Sequence, residues 1–179
     1  MTVAGSSAAS NIEGFVYISM NALYQAAISF TSQNVGARKY ERINRILIVA
    51  QGCVTVIGLL LGGTAYLFGR QLLGLYTDNP AVIAAGMIRL RFICLPYFLC
   101  GIMEVLVGVL RGMGYTVMPM ITSIIGSCAL RIIWLATVFR MERFYRIETV
   151  YIVYMISWII TIGAHIVTYL IVKRKYIKK

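Results

Sequence analysis

Charged residues are scarce in this chain of 179 residues, and acidic residues are scarcer than basic ones. Charged side chains make up 13% of the residues and apolar ones 60%, with 17 Lys and Arg against six Asp and Glu. A soluble domain of this size carries about 25% charged residues. The apolar residues also form runs near the length of a transmembrane helix, which is roughly 20 residues. The composition therefore indicates a membrane protein.

The sequence also lacks the residues that most enzyme and metal sites need. It has one His, and its four Cys form no C-x-x-C pair, so a zinc site is not expected. No G-x-x-x-x-G-K-S/T loop is present to bind a nucleotide, and no nucleophile stands in a recognisable pairing with a base. We predict that the chain is not an enzyme and that it holds no metal and no organic cofactor.

The long apolar runs predict an all-α polytopic membrane protein, because helices satisfy their own backbone hydrogen bonds in lipid and barrel strands need only about ten residues. Residues Met1–Ser10 are small and polar and lack the features of a signal peptide. The predicted spans cover residues 12–30, 46–68, 90–110, 117–139 and 150–172.

Proline and its neighbours predict two local features of the third span. Asp78, Asn79 and Pro80 are typical of a helix start, because Asn or Asp caps free N–H groups and Pro fits the first helical position. We expect this helix to run along the membrane surface before it enters the bilayer near Leu90. Pro96 should then kink the span or leave a carbonyl unpaired.

The net charge of +11 indicates lipid rather than nucleic acid as a partner, because the basic residues cluster at the ends of apolar runs. Ten of them fall on one predicted side of the membrane and four on the other, which places the first loop and the C-terminus in the cytoplasm. Anionic lipid is the expected partner of these segments. This orientation puts Met1 outside, so we expect a further helix upstream of it. The ten basic residues of the first side are Arg38, Lys39, Arg42, Arg45, Arg111, Lys173, Arg174, Lys175, Lys178 and Lys179. Those assigned to the other side are Arg70, Arg140, Arg143 and Arg146.

Acidic residues within predicted spans are costly and need a reason. Glu104 shares one helical face with Tyr97, Gly101, Gly108 and Arg111, and it is a candidate ion-coupling residue; a hydrogen-bonded packing role is the alternative. Glu13 is the second candidate, and we expect it to pair with Arg131. The first span carries a polar stripe that lines an aqueous pathway or packs against sister helices. The candidate pathway-lining residues are Tyr17, Asn21, Gln25, Tyr97 and Arg131.

Two further patterns point to helix packing. His165 shares a face with Ser157, Thr161 and Thr168, which favours a packing contact over a proton relay. Gly58 and Gly62 form a G-x-x-x-G pair, a common helix-packing motif in membranes.

Three segments together resemble one transporter family. Gln33-Asn34-Val35-Gly36-Ala37, followed by basic residues, resembles the cytoplasmic loop after the second helix of a lobe in multidrug and toxic compound extrusion (MATE) transporters. Leu110-Arg111-Gly112-Met113-Gly114 resembles the L-R-G-x-G turn of that family. Arg131-Ile132-Ile133-Trp134 resembles a fifth-helix pattern of one bacterial branch. The motif residues are Gln33, Asn34, Gly36, Ala37, Arg111, Gly112 and Gly114.

The resemblance implies helices eight to twelve of a twelve-helix protein built from two six-helix lobes. It also implies that Met1–Ser10 is the end of the loop after helix seven. Such a protein exports small cationic amphiphiles across the bacterial cytoplasmic membrane in exchange for Na⁺ or H⁺. The implied partners are helix seven and the N-terminal lobe, neither of which this chain contains. Family cation sites in this lobe use acids of helices seven and ten, and Glu104 is the acid that helix ten offers here. Tyr115 stands where many members have Asp.

Two other functions fit the same composition. One is a flippase for lipid-linked oligosaccharides or peptidoglycan precursors, from the same superfamily, which a strongly cationic cavity would favour. The other is a small non-transporting membrane protein that packs beside a partner through its G-x-x-x-G face.

Overall fold

A computed structural model describes residues 2–138 and 147–177, and these residues form helices without any strand. Five long helical runs cross the molecule, which confirms the all-α prediction. The first two are α1 (Thr2–Gly36) and α2 (Glu41–Leu67), and a short α3 (Gly69–Gly74) follows. The third run joins α4 (Pro80–Arg89) to α5 (Phe98–Gly112), the fourth joins α6 (Val117–Ser123) to α7 (Leu130–Thr137), and the fifth is α8 (Ile147–Ile177).

Four of these runs within the described residues are long and apolar enough to span a membrane. They are Glu41–Leu67, Pro80–Gly112, Val117–Thr137 and Ile147–Lys175. The first helix is longer than any of them, but its Asn, Gln, Ser and Tyr residues lower its hydropathy. The expected end of the fourth span at Phe139, and the basic residues Arg140, Arg143, Arg146, Lys178 and Lys179, lie outside the described residues.

The expected loop at Met1–Ser10 is wrong for the residues that the structure describes, because α1 already begins at Thr2. Its small side chains let this end of α1 lie directly against α4. A Cβ atom on Gly5 would collide with the Val82 carbonyl oxygen, and Ala9 is completely buried. The run of Gly, Ser and Ala that looks like a linker is therefore a packing surface.

The helix start at Asn79 is confirmed, but the expected separate surface helix is not formed, because Pro80–Gly112 is one continuous helical run. The Asn79 Oδ1 atom accepts a 3.0 Å hydrogen bond from the Ala81 amide, and Pro80 takes the first helical position. From there α4 continues directly into the third span. It packs on α1 because Val82 and Gly86 are buried there. Its one charged residue, Arg89, is neutralised by an ion pair.

The predicted disturbance at Pro96 appears as a change of helix type. Leu90–Cys94 forms a π-helical turn and Leu95–Tyr97 a 3₁₀ turn, between the regular helices α4 and α5. A second π-helical turn, Ile124–Ala129, joins α6 to α7 without a proline in it. It faces α8 closely, since a Cβ atom on Gly126 would collide with Thr161 Oγ1. Single π-turns of this kind often mark functional sites in helices.

The core lies where α1, α2 and α5 meet. Met20, Val54 and Val105 are among its fully buried side chains. The G-x-x-x-G pair of α2 also belongs to this packing, because a Cβ on Gly58 would meet Phe98 and one on Gly62 would meet the Cys94 carbonyl. That glycine face is therefore occupied within the chain.

Candidate functional site

Glu104 lies on α5 at the contact with α1, among polar and aromatic side chains. Its carboxylate lies near the Tyr17 hydroxyl and the Arg111 guanidinium. Its Oε2 atom is buried and has no hydrogen-bond partner among the described residues. An ionised carboxylate is an acceptor with about four lone-pair sites. Glu104 therefore keeps acceptor capacity that the described part of the chain leaves unused.

The side chains around Glu104 come from two helical runs and form what we call the Glu104 cluster: Tyr17, Asn21, Tyr97 and Glu104. The Asn21 Nδ2 atom donates to the Tyr17 hydroxyl at 3.5 Å, and Tyr97 is within electrostatic range of both Tyr17 and Glu104. Tyr97 also stacks edge-on against Trp158 of α8, with ring centroids 5.6 Å apart. The structure thus brings together four of the residues that the sequence singles out.

The end of α5 is fixed against α1 by the L-R-G-x-G segment. The Arg111 guanidinium donates a hydrogen bond to the Tyr24 hydroxyl and lies 5.8 Å from the centre of that ring. A Cβ on Gly112 would stand 2.6 Å from Thr31 Cβ and 2.8 Å from the Ile28 carbonyl oxygen. Gly114 has a φ of +86°, a backbone conformation that favours glycine.

The Gln33–Ala37 segment forms the C-terminal end of α1. The Asn34 side chain donates a 2.8 Å hydrogen bond to the Phe30 carbonyl, and the Gln33 amide lies 3.5 Å from Ser29 Oγ. The Lys39 amide returns to the Asn34 carbonyl at 2.9 Å, across Arg38 with its φ of 57°. This segment is a tight connector, and nothing in its geometry joins it to the Glu104 cluster.

The MatE family model matches residues 1–137 of this chain. The chain belongs to the MatE family.

Two individual proteins show how far the likeness extends. A probable multidrug resistance protein NorM from Aromatoleum aromaticum is 26% identical over 119 residues, which cover 66% of this chain and 26% of that protein. An inward-facing multidrug resistance MATE family transporter of the MOP superfamily superposes with a TM-score of 0.76 at 19% identity, over 94% of this chain and 38% of its own length. The MatE chain thus spans well under half the length of either relative, and the second supports the fold alone.

The sequence suggested that Glu13 pairs with Arg131. In the structure of this MatE chain, Glu13 pairs with Arg89 instead. The Arg89 Nε and Nη2 atoms contact the two Glu13 oxygens at 2.8 and 2.9 Å, while Nη1 donates to Ser6 Oγ at 2.7 Å. The expected pairing rested on the similar depths of Glu13 and Arg131 in their spans, and depth alone does not show which helices pack together. Glu13 is therefore held in a bidentate ion pair at the α1–α4 contact.

Arg131 has no acidic partner within hydrogen-bond distance among the described residues. Its guanidinium lies 4.0 Å from the centre of the Tyr154 ring, and its Nε donates to Ser157 Oγ at 3.2 Å. Tyr154 in turn contacts Trp158 edge-on at 6.2 Å. Arg131 of α7 thus contacts an aromatic side chain and a hydroxyl group of α8.

The remaining polar candidates lie apart from the Glu104 cluster. Gln25 is exposed on α1, one turn beyond Asn21. His165 is fully buried, and its Nε2 lies 3.1 Å from Ser123 Oγ, so the packing interpretation of this residue agrees with its position. Among the described residues, no three His, Cys, Asp or Glu side chains gather closely enough to hold a metal ion.

Sequence reasoning missed three residues that shape this region. Arg89 and Trp158 were not singled out, although one is the ion-pair partner of Glu13 and the other packs on Tyr97. Gln51 donates a 3.1 Å hydrogen bond to the Ile102 carbonyl, and its Oε1 is buried without a partner in the part of the chain that the structure describes. A signal for Gln51 was present, because an amide within an apolar run needs a partner.

Proposed function

We propose that this chain forms most of one lobe of a secondary-active multidrug antiporter, which exports small cationic amphiphiles in exchange for Na⁺ or H⁺. The family membership and the name of the NorM relative support transport of drugs. The coupling ion and the substrate class rest on the chemistry of the Glu104 cluster. The protein acts in a cytoplasmic membrane, where the first lobe and helix seven complete the pathway.

Glu104 is the coupling residue in this proposal. The observation that carries it is the buried Oε2 atom, which no described residue contacts by a hydrogen bond. A charged group in a membrane interior is costly unless it is paired. A bound Na⁺ or a proton would satisfy the free oxygen and lower that cost.

Glu13 has a different role, although the sequence makes it the second candidate for ion coupling. Both of its oxygens already accept hydrogen bonds from Arg89. A cation would have to displace a charge-assisted bidentate pair, which is among the strongest polar contacts in proteins. We therefore assign Glu13 to positioning α4 against α1.

Aromatic rings next to Glu104 suit an organic cation. Tyr97 and Tyr17 adjoin the carboxylate, and Trp158 backs Tyr97. The faces of such rings attract cations by about 0.5–2 kcal/mol each. A lipophilic cation and a coupling ion would then compete for one acidic site, which is the simplest basis for exchange.

Drug efflux by the complete transporter that contains this chain tests the proposal. In cells without other efflux pumps, Glu104→Gln should restore drug accumulation to the level of cells without the transporter. Glu41→Gln is the matched control, because it removes an exposed carboxylate at the start of α2. Wild-type efflux by Glu104→Gln would contradict the coupling role. Failure of the wild-type protein to reduce drug accumulation, with movement of a lipid-linked precursor instead, would favour the flippase.

A further inference from the structure

A groove with a volume of 590 Å³ opens between α1 and α2, close to the turn that joins them. Its wall is apolar along most of its length, and Ala26, Phe30, Val49 and Ala50 are among the lining residues. Phe30 and Val49 are more than half exposed in the described structure. A row of small and apolar side chains between α1 and α2 has the polarity of an acyl-chain site.

Two arginines stand at the end of the groove nearest the turn. Arg42 and Arg45 both line it, and both belong to the first two turns of α2. Residues three apart on a helix are neighbours on one face, so the two guanidinium groups share a direction. Within residues 2–138 and 147–177 neither arginine forms an ion pair, although Glu41 precedes Arg42 in the chain.

We propose that this groove binds an anionic phospholipid, with its phosphate on Arg42 and Arg45 and one acyl chain along the apolar wall. Guanidinium groups bind phosphate through paired N–H donors. The apolar wall continues away from the arginines along α1 and α2, in the direction that an acyl chain takes from its headgroup. The binding does not depend on transport, so it stands or falls separately from the role of Glu104.

The groove differs from the general attraction of basic segments to anionic membranes. Arg38 and Lys39 lie in the same turn and are exposed, but neither lines the groove. A diffuse surface attraction would draw on all four basic residues alike. A bound lipid requires only the pair at the end of the apolar wall.

Photocrosslinking in lipid nanodiscs tests this site on the full chain. The nanodiscs contain phosphatidylcholine and a trace of phosphatidylglycerol with a diazirine on its acyl chain, and crosslinked peptides are identified by mass spectrometry. We expect crosslinks concentrated in residues 23–34 of α1 and 42–53 of α2. Unlabelled phosphatidylglycerol should compete for them, and phosphatidylcholine should not.

Paired variants separate a specific site from surface charge. Arg42→Gln with Arg45→Gln should reduce groove crosslinking by about fivefold for each arginine removed, as expected for about 1 kcal/mol per basic contact. Arg38→Gln with Lys39→Gln removes the same charge and should change it less than twofold. Ala26→Phe, which fills the groove and keeps every charge, should also abolish the crosslinks. Equal losses in the two double variants, or crosslinks spread evenly over all the helices, would overturn the proposal.

Discussion

The acidic side chains of α1 and α5, Glu13 and Glu104, differ in how their oxygens are used. Glu13 accepts both of its hydrogen bonds from one guanidinium, whereas Glu104 leaves a buried oxygen without a donor among the described residues. The first arrangement holds helices in place and the second can accept a ligand. At the scale of single residues, the function of this lobe therefore depends on which carboxylate is already satisfied.

Removal of the Glu13 carboxylate should destabilise the chain. Glu13 and Arg89 side chains are 8% and 21% exposed, so Glu13→Gln leaves a mostly buried guanidinium without its counter-charge. We expect a loss of roughly 1–3 kcal/mol in the free energy of unfolding, less than for a fully buried pair because Arg89 reaches solvent. Thermal unfolding in detergent, followed by helical circular dichroism, measures the effect.

A double-variant cycle distinguishes the ion pair from simple packing. Glu13→Gln with Arg89→Gln should be more stable than the sum of the two single losses predicts, because neither charge is then left alone. Strictly additive losses would show that the pair contributes no coupling.

Helix ends and helix contacts in this fold depend on glycines whose role differs from site to site. Gly112 lies against α1 with no room for a Cβ, whereas a Cβ on Gly63 of α2 would have nothing within 4 Å. Gly114 supplies the left-handed turn after α5. At the scale of elements, the L-R-G-x-G segment holds the end of α5 against α1.

Gly112→Ala should weaken the contact between α5 and α1 and lower the stability of the chain, while Gly63→Ala should not. The added methyl group at position 112 meets Thr31 and the α1 backbone, and such overpacking costs about 1–3 kcal/mol. Gly63→Ala should be neutral or slightly stabilising, because alanine is the better helix former. Unfolding in a graded detergent–denaturant series compares the two. Equal stability of both variants would contradict the close contact.

The elements show where sequence reasoning succeeds and where it stops. The apolar runs located four long spans, and Asn79–Pro80 located the start of α4, because hydropathy and capping are local properties. The start of α1 at Thr2 and the inward course of α4 were not predictable in the same way. They depend on Gly5 meeting Val82 and on Glu13 meeting Arg89, which are contacts between distant segments.

The same limit applies to the candidate site. Periodicity placed Tyr97, Glu104 and Arg111 on one face of a helix, and in the structure both Tyr97 and Arg111 lie near Glu104. It did not show that Tyr17 faces Glu104 or that Arg131 lies over Tyr154, because those depend on how α1 and α8 pack. The π-turn at Ile124–Ala129 contains no proline from which it could have been predicted.

At the scale of the molecule, the two basic ends of the bundle lie together. Lys173 Nζ and the Tyr169 hydroxyl both donate to Asn44 Oδ1, at 3.2 and 3.3 Å, which brings the end of α8 beside the start of α2. The first turn and the basic end of α8 therefore share one side of the bundle. The positive-inside bias makes that side cytoplasmic in our proposal.

Thiol labelling in intact cells tests this orientation. In a background where Cys53, Cys94, Cys100 and Cys128 are replaced by Ser, Arg38→Cys and Lys175→Cys should resist a membrane-impermeant maleimide until the cells are opened. Tyr76→Cys, in the turn between α3 and α4, should react in intact cells. Labelling of Arg38→Cys in intact cells would reverse the assigned orientation.

Ion-driven drug transport in proteoliposomes tests the central proposal most directly. The complete transporter is reconstituted as wild type, Glu104→Gln, Glu104→Asp and the exposed control Glu41→Gln, and drug movement is followed with and without an imposed Na⁺ or H⁺ gradient. We predict that Glu104→Gln loses at least tenfold of its gradient-driven transport, about 1.4 kcal/mol or more. Glu104→Asp should retain part of this response, and Glu41→Gln all of it. Gradient-driven transport at the wild-type rate in Glu104→Gln would contradict the assignment of Glu104 as the coupling residue.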